Sequence, residues 1–206
     1  MSIFNALALT AAQFQDPSHR VSTVPVMRAT QMAASSATPL AHFSDIPGIE
    51  VTYYDVSGHD VREIHNSLVK LAPRDPKTNK PTPAISSWSV KAAMKSLTDG
   101  KRCIIGGANL QFHGNATMPR LVIDKEVPSR VIAVWNRYVG ELEARQASQL
   151  RFAYEHLAAV ERSLVGSRCD KASAAAEAGL ARIKSQQIEA QKHDEKSMPQ
   201  LSEPDS

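Results

Sequence analysis

Apolar side chains recur at steps of three and four residues from Ser129 to Leu164, which predicts one long amphipathic helix. The predicted buried stripe consists of Val131, Trp135, Tyr138, Val139, Leu142, Leu150, Ala153, Leu157, Val160 and Leu164. Pro128 precedes the helix, and a Gly166-Ser167 break follows it. We therefore expect one face of this helix to pack against the rest of the domain along its whole length.

Polar residues interrupt the stripe at its middle, in the window Arg145-Gln146-Ala147-Ser148-Gln149. Gln146 lies four residues after Leu142, and Gln149 lies three residues after Gln146, so both side chains are predicted to face inward. Polar groups on an inner face need a partner or a function. In zinc peptidases such a window reads H-E-x-x-H, where two His at i and i+4 bind zinc and the Glu activates water. Here Arg, Gln and Gln stand at those three positions.

Shorter segments before this helix predict a strand and a short helix. The β-branched and aromatic content of Ile49–Val56 is typical of a strand. Ser57 and Asp60 stand at capping-box spacing, which predicts a helix start there. Val61, Ile64, Leu68 and Leu71 then follow at helical steps.

Three further segments predict a small antiparallel meander. Residues 85–94 and 102–112 carry apolar side chains in alternation, with Gly106-Gly107 as a bulge or bend in the second segment. Residues 117–123 are interrupted by Pro119, so we expect an edge strand or an entry loop. The fold class is therefore α+β, a small antiparallel sheet with one short helix, one long helix and a C-terminal helix.

Composition along the chain predicts three regions. Residues 1–46 are rich in Ala, Ser, Thr, Gln and Pro and predict a flexible leader or linker. Residues 47–192 form the α+β domain, in which residues 73–83 are a Pro-rich loop and residues 170–191 an Ala-rich helix. Residues 193–206 are charged and predict a disordered tail.

Charge and hydropathy narrow the classes of partner. The net charge is only +3, and no basic stripe with interleaved aromatic residues predicts a nucleic-acid partner. No apolar run approaches the roughly 18 residues that a membrane-spanning helix needs. Residues 3–12 are a short apolar run without a preceding Lys or Arg, so a signal peptide and an ordinary N-terminus both stay open for residues 1–15.

The chain contains two cysteines, Cys103 in a predicted strand and Cys169 just after the long helix. A bridge between them would close a loop of about 65 residues and contribute roughly 4 kcal/mol in the chain-entropy view. Two buried thiols are the other interpretation of the same residues. The spacing alone leaves both open.

Several short motifs follow one another along the chain. They are Tyr53-Tyr54-Asp55-Val56-Ser57-Gly58, Ser87-Trp88-Ser89-Val90, Cys103, Met118-Pro119, Trp135-Asn136-Arg137-Tyr138 and Cys169. Their order and spacing, over roughly residues 50–185, resemble a bacterial family of unknown function described as predicted secreted zinc-dependent proteases. That resemblance implies a small metallopeptidase scaffold with H-E-x-x-H on the long helix. It also implies that Cys103 and Cys169 are paired, which favours an oxidising compartment.

The same resemblance places the family's first ligand His on Arg145, its general base on Gln146 and its second ligand His on Gln149. A guanidinium cannot ligate zinc, and an amide cannot accept a proton from water at neutral pH. The amide oxygen of Gln149 suits harder cations than zinc. We therefore expect a degenerate site with no catalytic residue and no bound metal.

Two functions follow as expectations. The first is a non-catalytic binding or structural module of the bacterial envelope, periplasmic or secreted, with cytoplasmic location open because the N-terminal signal is weak. A candidate groove for a peptide or protein comprises Trp88, Trp135, Tyr138 and His156. The alternative is an active metal-dependent peptidase with a displaced zinc site, built from His156 with Glu155 or Glu161 and a histidine from elsewhere.

Overall fold

The structure, a computed structural model, describes residues 42–76, 78–194 and 199–202. The predicted leader therefore lies outside the described residues up to position 41, as do residues 195–198 and 203–206 of the predicted tail. In chain order, the elements are β1 (Ile49–Val56), α1 (Val61–Leu71), β2 (Ile85–Asp99), β3 (Arg102–Leu121), α2 (Ser129–Leu164) and α3 (Ala172–Asp194). The α+β class is confirmed, and α2 has the bounds that the apolar stripe predicts.

The sheet has three strands in the order β1-β3-β2, and it is mixed rather than antiparallel. β2 and β3 form an antiparallel hairpin across Gly100 and Lys101, whereas β1 pairs with β3 in parallel, with Ile49 opposite Gly114 and Val56 opposite Leu121. The antiparallel prediction is thus wrong for β1. A parallel partner far away in the sequence leaves no turn signal that would reveal it.

Residues 117–123 are not a separate edge strand, because β3 continues through Pro119 to Leu121 at the centre of the sheet. The Gly114 amide donates to the Gly48 carbonyl just before β1, and the Val122 amide donates to the Val56 carbonyl at the end of β1. Amides of that parity therefore face β1, and the Pro119 nitrogen faces the opposite side. On that side the pairing with β2 ends at Thr117. Pro119 therefore lacks its N–H on the side where β3 has no paired strand, and so it does not interrupt a ladder.

The predicted bulge at Gly106-Gly107 is confirmed. The pairing register shifts between Lys95, which is opposite Gly107, and Ser96, which is opposite Ile105, so Gly106 is the extra residue on β3. A Cβ at Gly106 would overlap the Leu97 side chain. The bulge thus depends on a residue without a side chain.

The cap of α1 differs from the predicted pair of Ser57 and Asp60. Asp60 itself is the N-cap, and its carboxylate accepts a hydrogen bond of 2.8 Å from the Glu63 amide. The Glu63 carboxylate in turn accepts one of 2.8 Å from the His59 amide. The capping pair is therefore Asp60 and Glu63, three residues after the predicted pair, with the second hydrogen bond coming from the amide before the N-cap.

The core lies between one face of the sheet and α2. Alternate residues of β3 point into it, namely Leu110, Phe112, Gly114, Ala116 and Met118. On α2, the predicted stripe is buried throughout. One face of the sheet therefore packs against the apolar face of α2.

Residues just before position 47, which the composition assigns to the leader, also contact the domain. Phe43 and Ile46 are buried in the core, and Arg151 of α2 donates hydrogen bonds to the Asp45 carboxylate at 2.8 Å and the His42 carbonyl at 3.1 Å. At the other end, Leu201 packs against the core. Segments read from composition as leader and tail thus contribute residues to the domain.

The predicted disulfide is confirmed, since Cys103 and Cys169 are bonded with their Cα atoms 5.5 Å apart. Backbone hydrogen bonds beside it join the same segments, from the Cys169 amide to the Cys103 carbonyl at 3.1 Å and from the Ile105 amide to the Ser167 carbonyl at 2.9 Å. The segment after α2 is therefore fixed along β3.

Candidate functional site

The polar window of α2 lines a cavity between α2, β2 and α3. Arg145, Gln146 and Gln149 all contribute to its wall, and its volume is about 570 Å³. Gln146 is only 6% exposed, although it lies in the middle of the apolar stripe. The structure thus brings the three candidate positions to one surface.

Hydrogen bonds across the cavity tie the three elements together. The Ser86 hydroxyl of β2 donates to Gln149 Oε1 at 3.2 Å. Gln187 of α3 donates from Nε2 to the Gln149 carbonyl at 2.8 Å and accepts from Trp88 Nε1 at 2.9 Å. The side-chain amide of Gln187 therefore links α3 to both β2 and α2.

The opposite wall comes from the loop before β2. Thr82, Pro83 and Ala84 line the cavity, and the Tyr54 hydroxyl of β1 donates to the Pro83 carbonyl at 2.7 Å. Burial raises the pKa of Tyr54 above its usual value, so this phenol stays protonated as a donor. The loop that composition predicts is thus anchored to the sheet.

A second cavity of about 510 Å³ lies on the other side of the same window. Arg145, Gln149, Gln187 and Gln191 line both cavities. The second one also contacts Phe152 and Pro199. Arg145 therefore stands where two concave surfaces between α2 and α3 meet.

The side chains at this window do not fit a zinc ion. Arg145 is cationic, Gln146 and Gln149 offer amide oxygens, and the Gln149 oxygen already accepts the Ser86 hydroxyl. Across the described ranges, no three His, Cys, Asp or Glu side chains converge as a metal-binding group. The chemistry of the donor set, therefore, is that of hydrogen bonding and charge rather than of metal ligation.

The four residues of the predicted groove are not brought together. Trp88 lines the larger cavity, but Trp135 and Tyr138 are core residues whose rings lie 5.9 Å apart. His156 stacks on Phe152 and places Nδ1 2.7 Å from the Phe152 carbonyl of its own helix. Aromatic residues at helical spacing served here to fill the core, and the predicted grouping with Trp88 does not form.

Two residues of the alternative metal site, His156 and Glu161, are engaged in other contacts. The Glu161 carboxylate accepts a hydrogen bond of 2.6 Å from the Leu110 amide of β3. Glu155 is exposed, and His156 is engaged with Phe152 as above. Glu161 thus satisfies a strand amide that has no β1 partner at that point.

Sequence reasoning missed a buried carboxylate next to the window. Glu143 is 2% exposed; its Oε1 accepts the His42 amide at 3.0 Å, and its Oε2 has no hydrogen-bond partner among the described residues. Burial is the main cause that raises the pKa of Glu143 above its usual value. Its position four residues after Val139 and four before Ala147 is the signal that could have identified it.

The sequence pattern also did not reveal Gln187, which links α3 to β2 and α2. It follows Ile183 by four residues and Leu180 by seven, which places it on the weak apolar face of α3. A glutamine on such a face gives no signal by itself. Its partners Trp88 and Gln149 lie on other elements, so only the tertiary structure reveals its part.

The fold defines an α+β domain with a polar cavity beside its long helix. Comparison of sequences identifies the family. The profile of the family described as Bacterial protein of unknown function (DUF922) matches residues 51–197, and the chain belongs to that family. No curated protein and no solved structure matches the chain. The family description carries no activity, so peptidase-like ancestry stays a prediction.

Among the described residues, no helix combines the length and the apolar character that crossing a membrane requires.

Proposed function

We propose that this domain is a non-catalytic binding module of the bacterial envelope, and that its cavity beside α2 holds a peptide segment of a partner. The observation that carries the proposal is the placement of Arg145, Gln146 and Gln149 on one cavity wall. These are the positions at which the zinc-protease resemblance puts two ligands and a general base. In this proposal the cavity wall of a peptidase scaffold is retained, while the side chains on that wall are suited to hydrogen bonding.

The surroundings of the cavity support a peptide as the bound group. β2 is an edge strand of the described sheet, and its residues Ile85 to Trp88 line the cavity. An edge strand offers main-chain donors and acceptors to an added extended segment. A volume of about 570 Å³ is within the usual range of small binding sites.

The disulfide supports the location. Cys103–Cys169 is the kind of bond that persists in oxidising compartments such as the bacterial periplasm. The family is bacterial. Together they favour a secreted or periplasmic domain over a cytoplasmic one.

Metal content separates this proposal from the displaced-site peptidase. Protein purified without a His-tag is analysed for zinc and assayed on unfolded protein substrates with added zinc. We expect zinc far below one ion per chain and no hydrolysis. About one zinc per chain, retained against mild chelation, would contradict the non-catalytic proposal.

Binding is tested with a random hexapeptide library passed over immobilised protein. Ser86→Trp fills the cavity, because the Ser86 side chain points towards Gln149, whereas Ser89→Trp changes an exposed residue of the same strand. We expect Ser86→Trp to lower peptide recovery and Ser89→Trp to leave it unchanged. Circular dichroism verifies that both variants fold. No recovery on the parent protein, or equal recovery on Ser86→Trp, contradicts a peptide site here.

A further inference from the structure

The charges around the larger cavity are unequal. Among the described residues that line it, Arg145, Lys184 and Lys192 are basic and Asp75 alone is acidic. The Asp75 carboxylate also accepts hydrogen bonds from Thr78, from the amide at 2.7 Å and from the hydroxyl at 3.1 Å. Basic side chains therefore outnumber the acidic one among the described residues of the wall, and the cavity presents an excess of positive charge.

The three basic residues of the wall come from two elements. Arg145 lies on α2, while Lys184 and Lys192 lie on α3. Lys184 Nζ is 5.2 Å from the Trp88 ring centroid, which holds this ammonium group above the indole at the β2 side. Lys192 lies 2.9 Å from Glu189, a carboxylate that is not part of the wall.

Neutral polar groups complete the lining. The buried Gln146, together with Gln149 and Gln187, supplies amide groups, and Ser86 and Thr82 supply hydroxyls. Amide N–H and guanidinium N–H groups are donors that a carboxylate can accept from at the same time. A guanidinium binds a carboxylate through two parallel hydrogen bonds, which an ammonium cannot do.

We propose that this cavity recognises a carboxylate of an acidic peptide, with Arg145 as the principal contact and Lys184 as the second. The proposal deepens the binding function above and rests on it. The carboxylate comes either from an Asp or Glu side chain or from a free C-terminus, since the two present the same group. The position where the resemblance puts a metal ligand thus becomes an anion contact in this chain.

Two hexapeptide libraries, identical except for a free or an amidated C-terminus, distinguish the sources. Each library is passed over immobilised protein at low and at high salt, and the bound peptides are sequenced. If side chains are recognised, Asp and Glu are enriched equally in both libraries. If the C-terminus is recognised, recovery from the free-acid library exceeds that from the amidated one. Loss of a charge-assisted hydrogen bond predicts differences of about tenfold.

Arg145→Gln tests the contact itself, because glutamine keeps a polar side chain and removes the charge. Arg162→Gln is the matched control on the exposed surface of the same helix, where Arg162 donates a hydrogen bond to the Ala158 carbonyl of its own helix. We expect Arg145→Gln to abolish the enrichment and Arg162→Gln to preserve it. Binding of neutral and acidic peptides alike, unchanged by Arg145→Gln, overturns carboxylate recognition while peptide binding stands. Absence of any binding to the parent overturns both.

Discussion

The carboxylate of Glu143 accepts a hydrogen bond of 3.0 Å from the backbone amide of His42, 101 residues earlier in the chain. This contact attaches the segment before β1 to the middle of α2. Only one of the two carboxylate oxygens has a hydrogen-bond partner among the described residues. A buried carboxylate that is ionised while one of its oxygens has no hydrogen bond destabilises the folded state.

Glu143→Gln should therefore gain stability relative to the parent as the pH rises from acid to neutral, because the amide keeps an acceptor for His42 and carries no charge. The pKa of Glu143 is raised above 4.5 in the folded state, so folding favours the protonated form. The stabilisation from that form is complete below about pH 4.5 and is lost as the pH rises through the raised value. The gain from Glu143→Gln should thus grow from acid to neutral pH.

Urea unfolding of the parent and of Glu143→Gln from pH 4 to pH 8 measures this difference. Glu141→Gln, an exposed residue two positions earlier, is the control and should change stability little. A stability difference between Glu143→Gln and the parent that stays constant from pH 4 to pH 8 would contradict the raised pKa of Glu143.

Gly114→Ala should destabilise the domain by about 1–3 kcal/mol, because the added Cβ has no room on the inner face of β3. It would overlap the Ile49 side chain and lie 3.0 Å from the Phe112 ring and 3.3 Å from Leu150. Gly107→Ala on the same strand meets open space and is the matched control. Equal unfolding midpoints for the two variants would contradict the packing of β1 and α2 around Gly114.

The helical part of this fold could be predicted from sequence because its signal is local and long. The stripe of α2 fixes a helix of 36 residues with both ends. β3 could not be predicted whole, since Gly106-Gly107 and Pro119 divide its pattern into shorter runs. Pairing with β2 and β1 determines that these residues belong to one continuous strand, and the pairing with β1 joins segments far apart in the sequence.

The candidate site could be predicted only in part for a similar reason. Arg145, Gln146 and Gln149 could be identified because they break a stripe on one helix. Trp135 and Tyr138 carry no sequence mark that separates a groove aromatic from a core aromatic, and the structure places both in the core. The partners on α3 are polar residues of a weakly patterned helix, so their part depends on the docking of that helix.

The disulfide should contribute about 4 kcal/mol to stability, because it closes a long loop between residues 66 positions apart. The double variant Cys103→Ala/Cys169→Ala is compared with the parent by urea unfolding. Reductant should lower the stability of the parent towards that of the variant and leave the variant unchanged. Quantitative alkylation of both thiols before reduction, in protein isolated from its native compartment, would contradict both the bond in the cell and the oxidising location.

Restoring the peptidase-type residues should create zinc affinity. The triple change Arg145→His, Gln146→Glu, Gln149→His places two imidazoles at i and i+4, and the structure shows both positions on the same cavity wall. Their ring nitrogens can then converge on one ion. A third ligand is not provided by these changes, so we expect zinc binding without hydrolysis.

Titration with zinc measures the gain, with Arg145→His and Gln149→His as single-imidazole controls that should bind zinc far more weakly. Circular dichroism compares the fold of each variant with that of the parent. The cavity must also lose its positive charge at Arg145, so the triple variant should recover fewer acidic peptides than the parent. A triple variant that folds like the parent and binds no zinc would show that positions 145 and 149 do not correspond to a former ligand pair. The carry-over of the H-E-x-x-H window onto this helix would then have to be abandoned, while the cavity and its charges would remain.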